Sequence, residues 1–278
     1  MTRGAIYIII DLEKAKQGDY FDDVNTSNNY YFKLASKSAH SLKKHMPDIP
    51  ITLFTNLNHE LLKDSPFDNF MNIPEPINDI WGAKFKCLLL TPYDQTVHMD
   101  ADTYVCDKFY EVFDSLDKYD LAATMSVSWN TRPSKIPECF PELAFGVFWY
   151  RKNKQMDVFF NKTIEVLKKR LGGCDEPWAR LTLYDSQDVR FYVLPWEYNC
   201  LYTHPAYLFG KVKVMHGHSA SIEEDTEIIN TKVYEGYPPW KRIITGTKIL
   251  LFKKIRQKLM KVDRIIEYKG LGKETSRA

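Results

Sequence analysis

Asp100 and Asp102 stand one residue apart in the stretch Val97-His98-Met99-Asp100-Ala101-Asp102-Thr103-Tyr104-Val105. Side chains of extended chain repeat their direction every second residue, so the two carboxylates point the same way, and two uncompensated acids beside an apolar run are costly. A hard divalent cation held by oxygen ligands is the simplest compensation. One that keeps open positions shares them with the phosphates of a substrate. An Asp-x-Asp triplet also arises by chance in a chain with this much Asp, so its surroundings must decide.

A third protein ligand would have to come from a distant segment. Val214-Met215-His216-Gly217-His218 offers two imidazoles on one side of an extended chain, and Gly217 allows backbone to approach a ligand closely. A lone histidine is more often a surface or satisfied core residue, but this pair ends a strand-like run. Mn²⁺ suits mixed carboxylate and imidazole ligation better than Ca²⁺, with Mg²⁺ as the alternative ion.

The elements that must position these groups follow from the apolar pattern. Residues 5–10, Ala-Ile-Tyr-Ile-Ile-Ile, read as a strand covered on both faces, with Asp11 directly after it. Tyr31, Leu34, Ala35, Ser38 and Leu42 have helical spacing that Pro47 ends, and residues 51–55 read as a second strand. This βαβ unit implies a right-handed crossover and parallel strands. A helix over 81–90 carries Lys84 and Lys86, and Pro92-Tyr93-Asp94 turns the chain into the strand before Asp100. Further on, the pattern gives a short helix over 109–116, strands over 121–125 and 144–150, and a helix over 155–170. Pro133, Pro137 and Pro141 mark a long loop over 126–142, a kind of segment that in compact domains is more often functional than idle. Asp175 suits a helix cap with Pro177 in the first turn, and residues 192–195 and 211–215 supply the last strands. Alternating strands and helices with acids at strand ends predict an α/β fold, a single Rossmann-like mixed sheet flanked by helices, with ligands at its carboxyl edge. No Gly-x-Gly-x-x-Gly turn follows the first strand and no Gly-Lys-Ser/Thr occurs, which disfavours dinucleotide oxidoreductases and P-loop enzymes.

With 278 residues and 44% hydrophobic content, the chain can bury a substantial core. Five widely spaced cysteines without a Cys-x-x-Cys pair argue against a disulfide framework or a zinc site. The short apolar segment near Met1 does not read as a signal peptide, so a cytoplasmic location is expected. The net charge of +2 is uneven: residues 241–278 hold twelve Lys or Arg against Asp263, Glu267 and Glu274, leaving about −7 on the first 240. The expected division is therefore a catalytic domain over 1–240 and a basic amphipathic helical tail over 241–278. Ile249, Leu250, Phe252, Ile255, Leu259 and Val262 interleave with basic residues there, suiting either peripheral contact with an anionic membrane or packing on the body. A mildly acidic body does not suit nucleic acid.

Taken in order, several spaced motifs carry a resemblance. They are the apolar first strand, Lys84 ahead of Pro92-Tyr93, His98-Met99-Asp100-Ala101-Asp102-Thr103, and Gly146-Val147 followed by Tyr150-Arg151. Asp175-Glu176-Pro177, Leu194-Pro195-Trp196-Glu197-Tyr198-Asn199-Cys200 and His216 complete the series. Over roughly residues 4–220 the chain resembles nucleotide-diphospho-sugar transferases of the GT-A fold, and most of all glycosyltransferase family 8 with its glycogenin-like and bacterial lipopolysaccharide relatives. The resemblance implies that Asp100, Asp102 and His216 hold Mn²⁺, two donor diphosphate oxygens completing the shell. It places Ile10 and Asp11 at the uracil base, Ala101 at the ribose and Lys84 near the donor phosphates or sugar. Asp175 or Glu176 takes the place of the family's Asp-Gln pair beside the reacting sugar. His218 would face the diphosphate or replace His216. Ala144 stands where the family commonly has an Asn that touches the donor sugar, which leaves the sugar open.

The function so implied is metal-dependent transfer of a sugar from a nucleotide-diphosphate donor, a UDP-sugar, to a glycan, lipid-linked or small hydroxyl acceptor. Sugar-1-phosphate nucleotidyltransferases share a related fold and a metal, but usually carry a Gly-rich signature after the first strand. A non-catalytic carbohydrate-binding protein is the rival from another class.

Overall fold

The computed structural model describes residues 1–10, 28–57, 62, 64–77, 79–126, 136–169, 174–201, 205–208, 210–217, 230, 243–245 and 265–266. Asp11, His218 and the tail segment over 249–262 lie outside the described residues.

The first strand, β1 (Arg3–Ile9), lies parallel to β2 (Ile51–Thr55), with Ala5 opposite Ile51 and Ile9 opposite Thr55. Between them runs α1 (Asn28–His45), so the βαβ unit has the parallel pairing expected of it. β4 (Gln95–Met99) lies parallel to β1 on its other side, and β3 (Asn69–Asn72) extends the sheet beyond β2. β7 (Leu143–Arg151) runs antiparallel to β4, and β6 (Leu121–Met125) and β8 (Phe191–Leu194) follow. The seven-stranded order is β3-β2-β1-β4-β7-β6-β8.

Both faces of this sheet are buried, which explains the continuous apolar runs. Ala5, Tyr7 and Ile9 of β1 and Val147 and Trp149 of β7 pack with Ala35, Ala39 and Leu42 of α1 and with Val112 and Phe113 of α3 (Tyr110–Ser115). Ile6, Phe148 and Tyr150 face the other way, onto α2 (Ile80–Leu89), α4 (Lys154–Leu167) and α5 (Glu176–Tyr184). Truncating one of these aromatic side chains to alanine costs about 3–5 kcal/mol in well-packed interiors. Asp79 caps α2 by accepting from the Gly82 N–H at 2.7 Å, and Asn153 caps α4 by accepting from the Met156 N–H at 2.9 Å.

Two small sheets add to the central one. β5 (Thr103–Val105), β11 (Val214–His216) and β9 (Cys200–Leu201) form one, with His216 opposite Thr103. β10 (Pro205–Tyr207), β12 (Ile243–Thr245) and β13 (Ile265–Ile266) form the other, so two short stretches beyond residue 240 are strand. No helix among the described residues is long and apolar enough to cross a membrane.

Buried hydroxyls join α1 to the turn after β4. Ser38 and Ser41 face inward from α1. Ser38 Oγ lies 2.8 Å from Tyr7 Oη and 2.6 Å from Thr103 Oγ1, and Thr103 Oγ1 donates to the Asp100 carbonyl at 2.8 Å. Since the Thr103 proton goes to Asp100, Ser38 donates to Thr103. Ser41 Oγ accepts from the Val105 N–H at 2.8 Å. These bonds satisfy polar groups that burial would otherwise make costly, and they fix the loop that holds Asp100 and Asp102.

Candidate metal centre

Asp100 follows the last residue of β4 at the carboxyl edge of the parallel strands, and its N–H donates to the Gly146 carbonyl of β7 at 2.7 Å. Asp102 lies two residues on, before β5 begins. The antiparallel pairing of β11 with β5 brings His216 in from more than a hundred residues away. Its Nε2 stands 3.3 Å from Asp102 Oδ1 and 3.8 Å from Asp100 Oδ2. One ligand atom from each of Asp100, Asp102 and His216 falls within 4.8 Å of the others. Gly217 follows in a left-handed conformation, φ 128°, and donates its N–H to the Asp102 carbonyl at 2.9 Å. A side chain is strained at that φ, which accounts for glycine beside the histidine.

Gly146 is a close-approach glycine. A Cβ there would lie 2.2 Å from His216 Cε1 and 2.8 Å from Asp100 Oδ2. The strand of β7 thus passes directly against two of the three gathered residues, at a distance no other residue type permits without displacement.

Lys84 projects from α2 into the same region and is almost fully buried. Its Nζ donates to the Phe145 carbonyl at 2.7 Å, pairs with Asp175 Oδ2 at 3.0 Å and lies 3.8 Å from Asp100 Oδ1. Burial alone would lower its pKa, but Asp100 and Asp175 outweigh that and raise it, so the ammonium form is held. Asp175 occupies the expected cap position of α5, with Pro177 in the first turn, but in a helical conformation and without a side-chain cap bond; its carboxylate is turned to Lys84 instead. Glu176 accepts from Ser126 Oγ at 2.6 Å and from the Phe145 N–H at 3.2 Å. Burial, then the neighbouring Asp175, push its carboxyl up to about 7.

The electrostatics show surplus negative charge. Desolvation raises the Asp100 pKa against the pull of Lys84 and His216, with Asp102 and Asp175 adding to the rise; because this carboxylate keeps 37% of its side-chain surface, solvent tempers the effect. Burial would lower the His216 pKa, yet Asp102 and Asp100 lift it to about 9. Carboxylates that hold a proton on a neighbouring imidazole are suited to hold a cation in its place. Two oxygen donors and one imidazole nitrogen make a donor set that fits a divalent metal ion.

The remaining expected site residues fall as follows. Ala101 lies in the turn between β4 and β5, partly buried against the core. Ile10, just past β1, packs partly buried on the opposite core cluster at the same sheet edge. Two further residues of the sequence motifs, Gly146 and Asn199, also touch the site. Asn199 Oδ1 lies 2.9 Å from His216 Nδ1. The signal for Asn199 was its place in the Leu194–Cys200 motif, and for Gly146 a glycine inside an otherwise bulky strand.

No family model and no curated protein matches the chain by sequence. Solved structures do match. GlyE, a glycosyltransferase of Streptococcus pneumoniae TIGR4, aligns with a TM-score of 0.52 at 14% identity, over 85% of this chain and 66% of its own, so the chain spans about two thirds of GlyE. LgtC, a galactosyltransferase solved with donor and acceptor sugar analogues, aligns with a TM-score of 0.52 at 14% identity, over 78% of this chain and 88% of its own. Mouse xyloside xylosyltransferase 1 gives 0.50 at 12% identity, over 78% and 98%. The seven-stranded mixed sheet flanked by helices, shared with these proteins, gives the chain the GT-A glycosyltransferase fold.

Proposed function

We propose that the chain is a glycosyltransferase that moves a sugar from a nucleotide-diphosphate donor, a UDP-sugar, onto a hydroxyl of a glycan, lipid-linked or small acceptor. The observation that carries this reading is the meeting of Asp100, Asp102 and His216 at the carboxyl edge of a GT-A sheet. The structural neighbours support it, being glycosyltransferases, one of them captured with donor and acceptor sugar analogues. Asp100, Asp102 and His216 would hold Mn²⁺, or Mg²⁺ in its place. When bound, the ion offsets the charge that builds on the departing nucleoside diphosphate.

The chain's own groups have separate tasks. Lys84, held in the charged form, adds a fixed positive charge on the donor side of the site and orients Asp175. Asp175 and Glu176 border the reacting sugar. Glu176, with a carboxyl raised to about 7, is suited to take the proton of an acceptor hydroxyl near neutral pH. Ile10 and Asp11 would receive the base, Ala101 the ribose, and His218 the diphosphate.

Slow release of free sugar from the donor tests the reading, because transferases leak donor to water and binding modules do not. A panel of nucleotide sugars is incubated with the protein and Mn²⁺. At least one UDP-sugar is expected to release free sugar, and EDTA is expected to stop it. No release from any nucleotide sugar, together with no transfer to simple sugar acceptors, would refute the transferase reading.

A further inference from the structure

The His216 ring is held from two sides by groups of different kinds. Nε2 faces Asp102 and Asp100, while Nδ1 meets the side-chain oxygen of Asn199 at 2.9 Å. Asn199 is fully buried. An amide oxygen only accepts, so the ring carries its proton on Nδ1 at this contact. A neutral imidazole protonated at Nδ1 keeps its lone pair on Nε2, the nitrogen turned toward both carboxylates. Had the amide presented its NH₂ group instead, the ring proton would sit on Nε2 and point between the acids, where a cation would be repelled.

The chain fixes Asn199 as firmly as it fixes His216. A 3-10 turn, Trp196–Tyr198, precedes it, and the Asn199 N–H donates to the Trp196 carbonyl at 3.2 Å. Within that turn Glu197 Oε1 accepts from the Gly210 N–H at 2.6 Å, and the Glu197 carbonyl accepts from the Lys213 N–H at 2.7 Å. β9, which begins at the next residue, pairs with β11 through Cys200 opposite Met215. Both ends of the Asn199–His216 contact are thus tied into one small sheet. Asn199 Nδ2 has no hydrogen-bond partner among the described residues, so the side chain's bonding there is to the imidazole.

We propose that Asn199 is a positioning residue that fixes His216 as the Nδ1–H tautomer and so presents Nε2 to the cation. This rests on the metal reading given above. Partners that hold the second nitrogen of a metal-binding histidine typically change metal affinity 10–100-fold when removed.

The test is Mn²⁺ binding to the full chain, followed by the paramagnetic resonance signal of free Mn²⁺, in the wild type, Asn199→Leu and Asn199→Asp. Leucine keeps the volume and cannot accept; aspartate keeps the acceptor and loses the NH₂ group. Asn199→Leu is expected to bind about 10–100-fold more weakly. Asn199→Asp is expected to bind at least as tightly as the wild type, a rescue that a packing role alone would not give. Thermal unfolding of each variant reports whether it is folded. Unchanged affinity in folded Asn199→Leu overturns the proposal. So does about tenfold weaker binding in Asn199→Asp, which stands as a test even where the leucine variant fails to fold. A wild type that binds no Mn²⁺ refutes the metal reading itself, an outcome distinct from both.

Discussion

Gly146→Ala is expected to weaken Mn²⁺ binding about 100-fold while the protein stays folded. The added methyl would stand 2.2 Å from His216 Cε1 and 2.8 Å from Asp100 Oδ2, inside the contact distance of both. β7 cannot retreat, because the Gly146 carbonyl accepts from the Asp100 N–H at 2.7 Å and the strand is paired on both edges. The imidazole has to move, and it leaves both Asn199 and the carboxylates when it does. Overpacking of this kind costs about 1–3 kcal/mol, less than a typical domain's total stability. Free Mn²⁺ measured by paramagnetic resonance, with circular dichroism for the fold, checks it. Wild-type affinity in Gly146→Ala would mean that His216 can swing aside without loss and is not a ligand.

Lys84→Met is expected to destabilise the protein by about 3–5 kcal/mol. Methionine fills much of the same volume but leaves the nearly buried Asp175 carboxylate without its cation, and removes the Lys84 donor from the Phe145 carbonyl. Breaking a buried pair from one side leaves a charge that neither water nor protein compensates, which costs more than the pair contributes when intact. The partner change Asp175→Leu should therefore recover most of the loss when combined with Lys84→Met. Urea unfolding of the four proteins closes the cycle. A loss under about 1 kcal/mol in the single variant, a value ordinary for exposed ion pairs, would show that water already reaches this cluster.

The central fold was legible wherever burial on both faces wrote itself into the composition. β1 from Ala5 and β7 up to Tyr150 are near-continuous apolar runs, and β2 and β6 are broken only by threonines, because α1 and α3 cover one side and α2, α4 and α5 the other. β3 escaped because an edge strand with Asn at both ends and exposed end residues carries no such pattern. β5 and β9 escaped because three and two residues are too few for any periodicity. In the site, Asp100, Asp102 and His216 could be read because each ends or follows a recognisable strand. The environment of Asp175 could not: a helix-start Asp before Glu-Pro suits a cap, and only the fold shows that Lys84, ninety-one positions earlier, claims its carboxylate. The Gly146 approach depends likewise on the β4–β7 register, with Met99 opposite Val147, and the Asn199 contact on the pairing of β9 with β11.

The most direct test is calorimetric titration of UDP into the protein with Mn²⁺, with EDTA, and with Mn²⁺ in Asp102→Ala. Saturable binding is expected in the first case and none in the other two, with the variant unfolding as a folded protein does. Undiminished UDP binding in EDTA or in Asp102→Ala would contradict a donor site built on Asp100, Asp102 and His216.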